Sequence, residues 1–327
     1  MAPQCGDARP AVLVDTDTGI DDALALLTLL AHPADLVAVG TVFGNCTERQ
    51  AASNALTVLA AAGRTDIPVA IGSPRVGPSR PGLSPHGSDG LGDAGMCPPA
   101  GVTPVDDSAV DQILRTARDR PGEVDLLCLA PLTNISTALT VNPLVLSAFR
   151  TVTIMGGMGA AARRATVAAA LPKFLPKGDT NTNHDAAATA RVSSAPGPVT
   201  WVGMDVTGRL PLPWATLTDL AATSSLARFV HAISDDYHRY CTATYGAAEP
   251  IVTAHDAVAA VVMLDPTVVT AAQHLTGHVE EHDGRSSLWG QECVGVTPSH
   301  RFVTGIDYTR VAEHITATLA GHGRGSG

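Results

Sequence analysis

Short apolar runs alternate along this chain with stretches of helical period, and that rhythm predicts its elements. Residues 11–14 (Ala-Val-Leu-Val) are the kind of run a buried parallel strand shows, residues 23–30 are a strong helix former, and Thr18-Gly19 turns between them. Further strands are predicted at 35–42, 67–71, 124–129, 152–155 and 199–202, with several short ones between 278 and 304. Helices are predicted at 48–62, 108–120, 132–139 and 185–192, across a region 217–245, from His255-Asp256 to about Leu264, and at 307–319. A Gly/Pro/Ser-rich segment at 73–104 is too long for a plain connection and is a candidate active-site loop; a second irregular segment runs from 158 to 183. No linker or repeat divides the pattern. The reading is one large α/β domain over residues 11–320, preceded by an extension of residues 1–10 and followed by a flexible Gly-rich tail, 321–327.

Composition narrows the function. The 327 residues are 45% hydrophobic and 16% charged, enough to bury a large core, and the net charge of -10 without a basic stripe argues against nucleic-acid binding. Residues 1–10 lack an apolar signal core, and no run reaches the roughly eighteen apolar residues of a membrane span, so a cytoplasmic protein with no membrane partner is expected. Six cysteines (Cys5, Cys46, Cys97, Cys128, Cys241, Cys293) show no C-x-x-C pair and read as reduced thiols.

The chemistry concentrates at the first strand–helix junction, Asp15-Thr16-Asp17-Thr18-Gly19-Ile20-Asp21-Asp22, with Asn45 one strand later. Carboxylates repel one another at this density, so a cation or a reaction has to account for them. Asp15 and Asp17 fall at the carboxyl end of a strand. Asp21 and Asp22 fall in the first turn of a helix, where free N–H groups favour negative charge. Ordinary helix capping accounts for one or two such residues, not four. In an open α/β sheet this edge is the usual place for a ligand.

The first motif resembles the N-terminal signature of the inosine-uridine preferring nucleoside hydrolases, and five more blocks match that family in order. They are Thr41-Val42-Phe43-Gly44-Asn45, His86-Gly87-Ser88-Asp89-Gly90-Leu91-Gly92, Leu129-Ala130-Pro131-Leu132-Thr133-Asn134-Ile135, Met155-Gly156-Gly157 and His255-Asp256-Ala257-Val258-Ala259. The resemblance runs from about Val12 to Pro266. It implies a single open, mostly parallel sheet flanked by helices, with the site at the carboxyl ends of the strands. It also implies a homodimer or homotetramer that cleaves the N-glycosidic bond of a ribonucleoside in purine or pyrimidine salvage. By matching, Ca²⁺ would be held by Asp17, Asp22, the Leu129 carbonyl and Asp256, an all-oxygen set suited to a hard cation. The metal would acidify a water and Asp17 would take its proton. Asp21, Asn45, Met155 and Asn181 would hold the ribose, Asp179 its 5′-hydroxyl, and His255 would protonate the leaving base, with His86, Tyr237 and Tyr240 beside it. Tyr245 and His238 lie in the same helical region and could also contact the base. Taken alone, Asp256 reads equally well as a helix N-cap, and His255 as a satisfied histidine at a helix start.

Departures from the family pattern are concentrated in one place. Asp179-Thr180-Asn181 stands where the family commonly has Glu-x-Asn, a carboxylate shorter by one methylene. The lengthened segment before it carries Arg163, Arg164, Lys173 and Lys177, cations of a solvated loop or partners of a 5′-phosphate or altered sugar. Two rival readings remain. A haloacid-dehalogenase-type phosphohydrolase would use Asp15 as nucleophile, Asp17 as acid/base and Mg²⁺, with Lys177-Gly178-Asp179 and Asp185 as its last acidic motif; it leaves Asp21-Asp22, 129–134 and His255-Asp256 unexplained. A non-catalytic ribose-binding protein is favoured only if Asp179 or the lengthened loop disables the site.

Overall fold

Strands buried on both faces build the frame, as parallel pairing between two helical layers requires. The computed structural model describes residues 9–75, 85–160, 179–282, 284–292 and 300–321. Strand β1 (Ala11–Thr16) is buried along its whole length. It lies between β2 (Asp35–Thr41) and β4 (Val124–Cys128), parallel to both. Beyond β2 comes β3 (Val69–Ile71); beyond β4 come β5 (Thr151–Met155), β6 (Val199–Val202) and β11 (His300–Ile306), all parallel. Antiparallel β9 (Val269–His282) and β10 (Arg285–Gln291) complete a nine-stranded sheet ordered β10-β9-β11-β6-β5-β4-β1-β2-β3. The chain runs outward in both directions from β1, which makes its carboxyl end the switch point where open α/β sheets bind ligands.

Two apolar cores cover the two faces. On one face, helix Ile20–Ala31 packs against helix His255–Leu264, and both are apolar almost all round because each is buried between the sheet and further helices. That pairing brings the starts of two helices distant in sequence to one point above β1. The far end of the sheet turns back on itself: Met158 N–H donates to Leu288 O (2.9 Å) and Gly290 N–H to Met158 O (2.7 Å), so the edge strand β10 is covered by the chain that leaves β5.

The sequence-based expectation of a mostly parallel open sheet flanked by helices holds, with local differences. The third strand is shorter than 67–71. The segment 158–183 contains a short helix, Thr180–His184, capped by Asp179. The helical region starts at Trp214 and is three helices (Trp214–Ala221, Ser225–Ile233, Asp235–Tyr245), and β7 (Pro211–Pro213) and β8 (Ile251–Thr253) form an unexpected antiparallel pair. The region 278–304 holds the end of β9, β10 and the start of β11, in keeping with the short strands expected there, but β9 begins earlier, at Val269; its side chains face solvent over much of its length, so it lacks the apolar alternation that marks a strand. Arg163, Arg164, Lys173, Lys177 and residues 322–327 lie outside the described residues. No helix of the described residues is long and apolar enough to cross a membrane.

Candidate active site

The turn after β1 is strained. Thr18, a β-branched residue, has φ of 33°, a conformation such residues rarely adopt and one that costs roughly 1–3 kcal/mol. Surrounding bonds hold it there: Thr18 N–H donates to Thr16 Oγ1 (3.0 Å), and Asn54 Nδ2 donates to Thr18 O (3.1 Å) and to Asp89 O (2.7 Å). The sharp turn lets a strand end and a helix start contribute carboxylates to one spot. Oxygens of Asp21, Asp22 and Asp256 all lie within 4.8 Å of one another, and all three residues are buried. Asp22 is oriented by Thr16 Oγ1 and by Gly19 N–H (2.8 Å). Asp21 accepts the backbone N–H of Asp256, so the start of the later helix itself anchors the earlier cluster.

Asp17 joins from the β1 side. Asn45 holds both of its oxygens, donating from N to Oδ2 (2.7 Å) and from Nδ2 to Oδ1 (3.1 Å), and the same Nδ2 reaches Asp22 Oδ2 (3.3 Å). Gly44 is required beside it, since a Cβ there would fall 1.7 Å from Asp17 Oδ2. Burial first, and then the neighbouring carboxylates, raise the pKa of Asp17 and Asp256 well above the ordinary value and push Asp21 up to about 8. Asp22 shifts upward as well, chiefly from burial.

A second wall carries rings. His86 accepts Ile20 N–H at Nδ1 (3.0 Å) and leans on Tyr237, whose hydroxyl bonds Thr253 Oγ1 (2.9 Å). Although His86 Nδ1 is 3.9 Å from Asp21 Oδ1, that nitrogen faces a donor, and burial lowers the pKa of the ring to about 3; the two are neighbours, not an ion pair. His255 bonds Thr207 Oγ1 through Nδ1 (2.7 Å) and Tyr245 OH through Nε2 (3.0 Å). Burial lowers its pKa to about 4, which favours the neutral ring with a single N–H. Tyr240 is 44% exposed and does not join Tyr237 and Tyr245. His238 stacks on Trp214 beside an open groove of about 470 Å³ on the outer side of the same helix, away from the acidic cluster.

The remaining expected residues sit at the ends of β4 and β5. Asn181 Nδ2 donates to Leu129 O (2.9 Å) and Met155 O (3.3 Å), so the carbonyl expected to face a metal already accepts one bond and keeps one lone pair. Asp179 is engaged by the protein. Its oxygens accept Gly157 N–H, Asn181 N–H, Thr182 N–H and Thr182 Oγ1, which fills the four acceptor positions of a carboxylate. It caps a helix here and is not disposed toward a sugar hydroxyl. Asp15 is 1% exposed and takes Asn134 Nδ2 at 2.7 Å, and that amide also donates to Thr41 O and accepts Ser73 N–H. A nucleophile has to reach its substrate, and Asp185 is a helix cap bonded to Thr133, so the phosphohydrolase reading has no site here. Asn54, Asn134 and Thr207 carry structural roles not assigned from sequence. A buried Asn among Ala51, Ala52 and Ala55 was the available signal for the first; Thr207 offered none.

An open α/β sheet with a buried, all-oxygen carboxylate cluster at its switch point and a wall of neutral rings beside it is a site suited to a cation and a small polar substrate. The fold superposes on a plant nucleoside hydrolase with a TM-score of 0.84 at 25% identity, covering 96% of this chain and 99% of that one. Uridine nucleosidase 1 of Arabidopsis thaliana is 30% identical over 94% of this chain and 92% of its own length. Probable uridine nucleosidase 2 of Oryza sativa subsp. japonica is 31% identical over 80% and 74%. The chain belongs to the inosine-uridine preferring nucleoside hydrolase family, whose sequence profile matches residues 12–313, and it is an N-glycosyl hydrolase.

The carboxyl shifts set a pH dependence for the metal-free protein. A raised pKa means that the folded chain keeps protons that the unfolded chain has released, from about pH 4 up to about 7 for Asp15 and about 8 for Asp21. Stability must therefore fall as pH rises through that window. Thermal unfolding of metal-stripped protein between pH 5 and 8 is expected to show Tm decreasing with pH, and added Ca²⁺ to flatten the slope; a Tm that rises with pH when the metal is absent would contradict the carboxyl assignment.

Proposed function

We propose that the protein hydrolyses the N-glycosidic bond of ribonucleosides in a Ca²⁺-dependent reaction, releasing free base and ribose. Uridine is the first substrate to assay, on the strength of the uridine nucleosidases it resembles. The observation that carries this reading is the convergence of Asp21, Asp22 and Asp256 from two helix starts beside Asp17. Hard oxygen donors, mutual repulsion and burial together suit a divalent cation that takes six to eight oxygen ligands. Asp17, Asp22, Asp256 and the second lone pair of the Leu129 carbonyl would hold it. When bound, Ca²⁺ supplies positive charge that orders the sugar diol and makes water more acidic.

The residues of the chain divide the rest of the work. Asp17, fixed by Asn45, takes the proton of the attacking water as its general base. Asp21 and Asn45 would hold the ribose hydroxyls, with Asn181, on the helix Thr180–His184, and Met155, at the end of β5, beside them. Ionised in the presence of a cation, the carboxylates would set negative charge beside a sugar that becomes cationic as the bond to the base breaks. On the ring side, His255 accepts from one hydroxyl and donates to the other, since it is neutral. In the tautomer with Thr207 donating to Nδ1, Nε2–H would point at Tyr245 and leave the Tyr245 hydroxyl to donate to the departing base.

Replacement Asp17→Asn removes the base and turns an amide toward the donors of Asn45. Turnover of uridine is expected to fall by roughly 10² to 10⁴ or more, with free uracil measured chromatographically; a fall below tenfold would place the base elsewhere.

Tyr245→Phe is expected to slow uridine by roughly 10² and to spare p-nitrophenyl riboside, whose leaving group departs unprotonated. Equal losses on both substrates would assign Tyr245 to sugar positioning instead.

A further inference from the structure

Beside the Asn45 loop, three chain segments meet around one cation. Phe43 and Gly44 leave β2, Arg75 leaves β3, and His184 ends the helix Thr180–His184. The Arg75 guanidinium lies over the Phe43 ring, 4.7 Å from its centroid; Nη2 donates to Gly44 O (3.4 Å) and Nη1 to His184 Nδ1 (3.1 Å). Phe43 is buried, and its ring meets the His184 ring edge-on at 6.2 Å, so the cation is seated on packed side chains. This group adjoins the pocket through the backbone. Gly44 precedes the Asn45 that holds Asp17, and His184 lies one turn beyond the Asn181 that reaches Leu129 O and Met155 O.

We propose that Arg75 and His184 recognise a phosphate monoester on the 5′ carbon of the sugar, so that the enzyme accepts nucleoside 5′-monophosphates as well as nucleosides. The proposal rests on the nucleoside-hydrolase reading of the site. A ribose with its 2′,3′-diol on the acidic cluster and its base against His86, Tyr237, Tyr245 and His255 projects its 5′ carbon toward the remaining side. Asn45 and Asn181 border the cluster, and the chain sets Arg75 and His184 next to them, through Gly44 and through one turn of helix. A neutral 5′-hydroxyl has no need of a guanidinium, whereas a phosphate matches its planar fork of donors. Nδ1 of His184 accepts from Arg75, which leaves the ring proton on Nε2 and makes His184 a second donor. The two carboxylates that flank that helix would otherwise repel a phosphate, but Asp179 accepts from Gly157, Asn181 and Thr182, and Asp185 from Thr133 and Ala188. In the reaction itself the C1′–N bond breaks, a C1′–O bond forms to water, and the water's second proton ends on the base. The phosphate ester is untouched, so the products are free base and ribose 5-phosphate.

The test compares uridine with uridine 5′-monophosphate on the full-length Ca²⁺-loaded enzyme, with uracil, ribose 5-phosphate and inorganic phosphate all measured. Wild type is expected to release uracil and ribose 5-phosphate from the monophosphate with kcat/KM within about tenfold of that for uridine. Arg75→Ala is expected to lower kcat/KM for the monophosphate at least tenfold more than for uridine, mainly through KM, with Arg75→Lys intermediate and His184→Ala following the same direction. Should Arg75→Ala fail to fold, Arg75→Lys and His184→Ala carry the comparison. Uridine hydrolysis without monophosphate hydrolysis would overturn this inference alone, as would equal losses on both substrates, which would make Arg75 a clamp for the 43–46 loop. Hydrolysis of neither substrate by wild type would overturn the underlying reading of the site.

Discussion

Repulsion among buried carboxylates is the constraint around which this protein is arranged. Asp21, Asp22 and Asp256 bring oxygens within 4.8 Å of one another in a largely buried space, with Asp17 beside them. Ionised together and alone they would be strongly unfavourable, and the upward pKa shifts express that cost. The fold concentrates compensating partial charge at the same point. Two helices pack side by side so that both N-termini, with their unbonded N–H groups, face the cluster. Backbone N–H groups of Gly19, Asn45 and Asp256 are spent on Asp22, Asp17 and Asp21 in turn. Even the strained Thr18 follows from this demand, because a relaxed turn would not bring the strand-end and helix-start carboxylates together.

Function on this scaffold is divided by sides. The β1 and helix-start residues hold charge, and the ring wall supplied by helices Asp235–Tyr245 and His255–Leu264 holds neutral donors and acceptors. Burial keeps His86 and His255 uncharged, so they avoid pairing with Asp21 and remain hydrogen-bonding groups rather than fixed cations. A Tyr–His–Thr chain of hydrogen bonds then orders this wall without placing a positive charge beside the carboxylates. Positive charge stands instead at Arg75, beside Gly44 and Phe43.

Much of this was legible in the sequence, and the parts that were not have identifiable causes. The strand–turn–helix bearing Asp15 to Asp22 was readable because apolar periodicity switches across it, and the resemblance joined it to Asp256 although only tertiary packing unites them. The side chains hidden from that reading differ in geometry, not in residue type. Asp15 and Asp17 are two residues apart, yet one is tied to Asn134 inside the sheet layer and the other is presented to the site by Asn45. Asp179 reads as a substrate carboxylate until its four protein donors are seen. Tyr237, Cys241 and Tyr245 recur at helical spacing on one face and Tyr240 falls off it, a period that was present in the sequence and sufficient to separate them. Strand β9 had no such signal, since solvent faces much of it.

The central claim, that protons occupy the carboxylate cluster until a cation replaces them, is tested most directly by calorimetric titration of metal-free protein with Ca²⁺ near pH 7. Repeating the titration in buffers of different ionisation enthalpy gives the number of protons exchanged. The account predicts one Ca²⁺ per chain with net proton release that diminishes as pH rises above about 8, the value to which Asp21 is raised. No saturable Ca²⁺ binding, or binding without proton release at neutral pH, would contradict it.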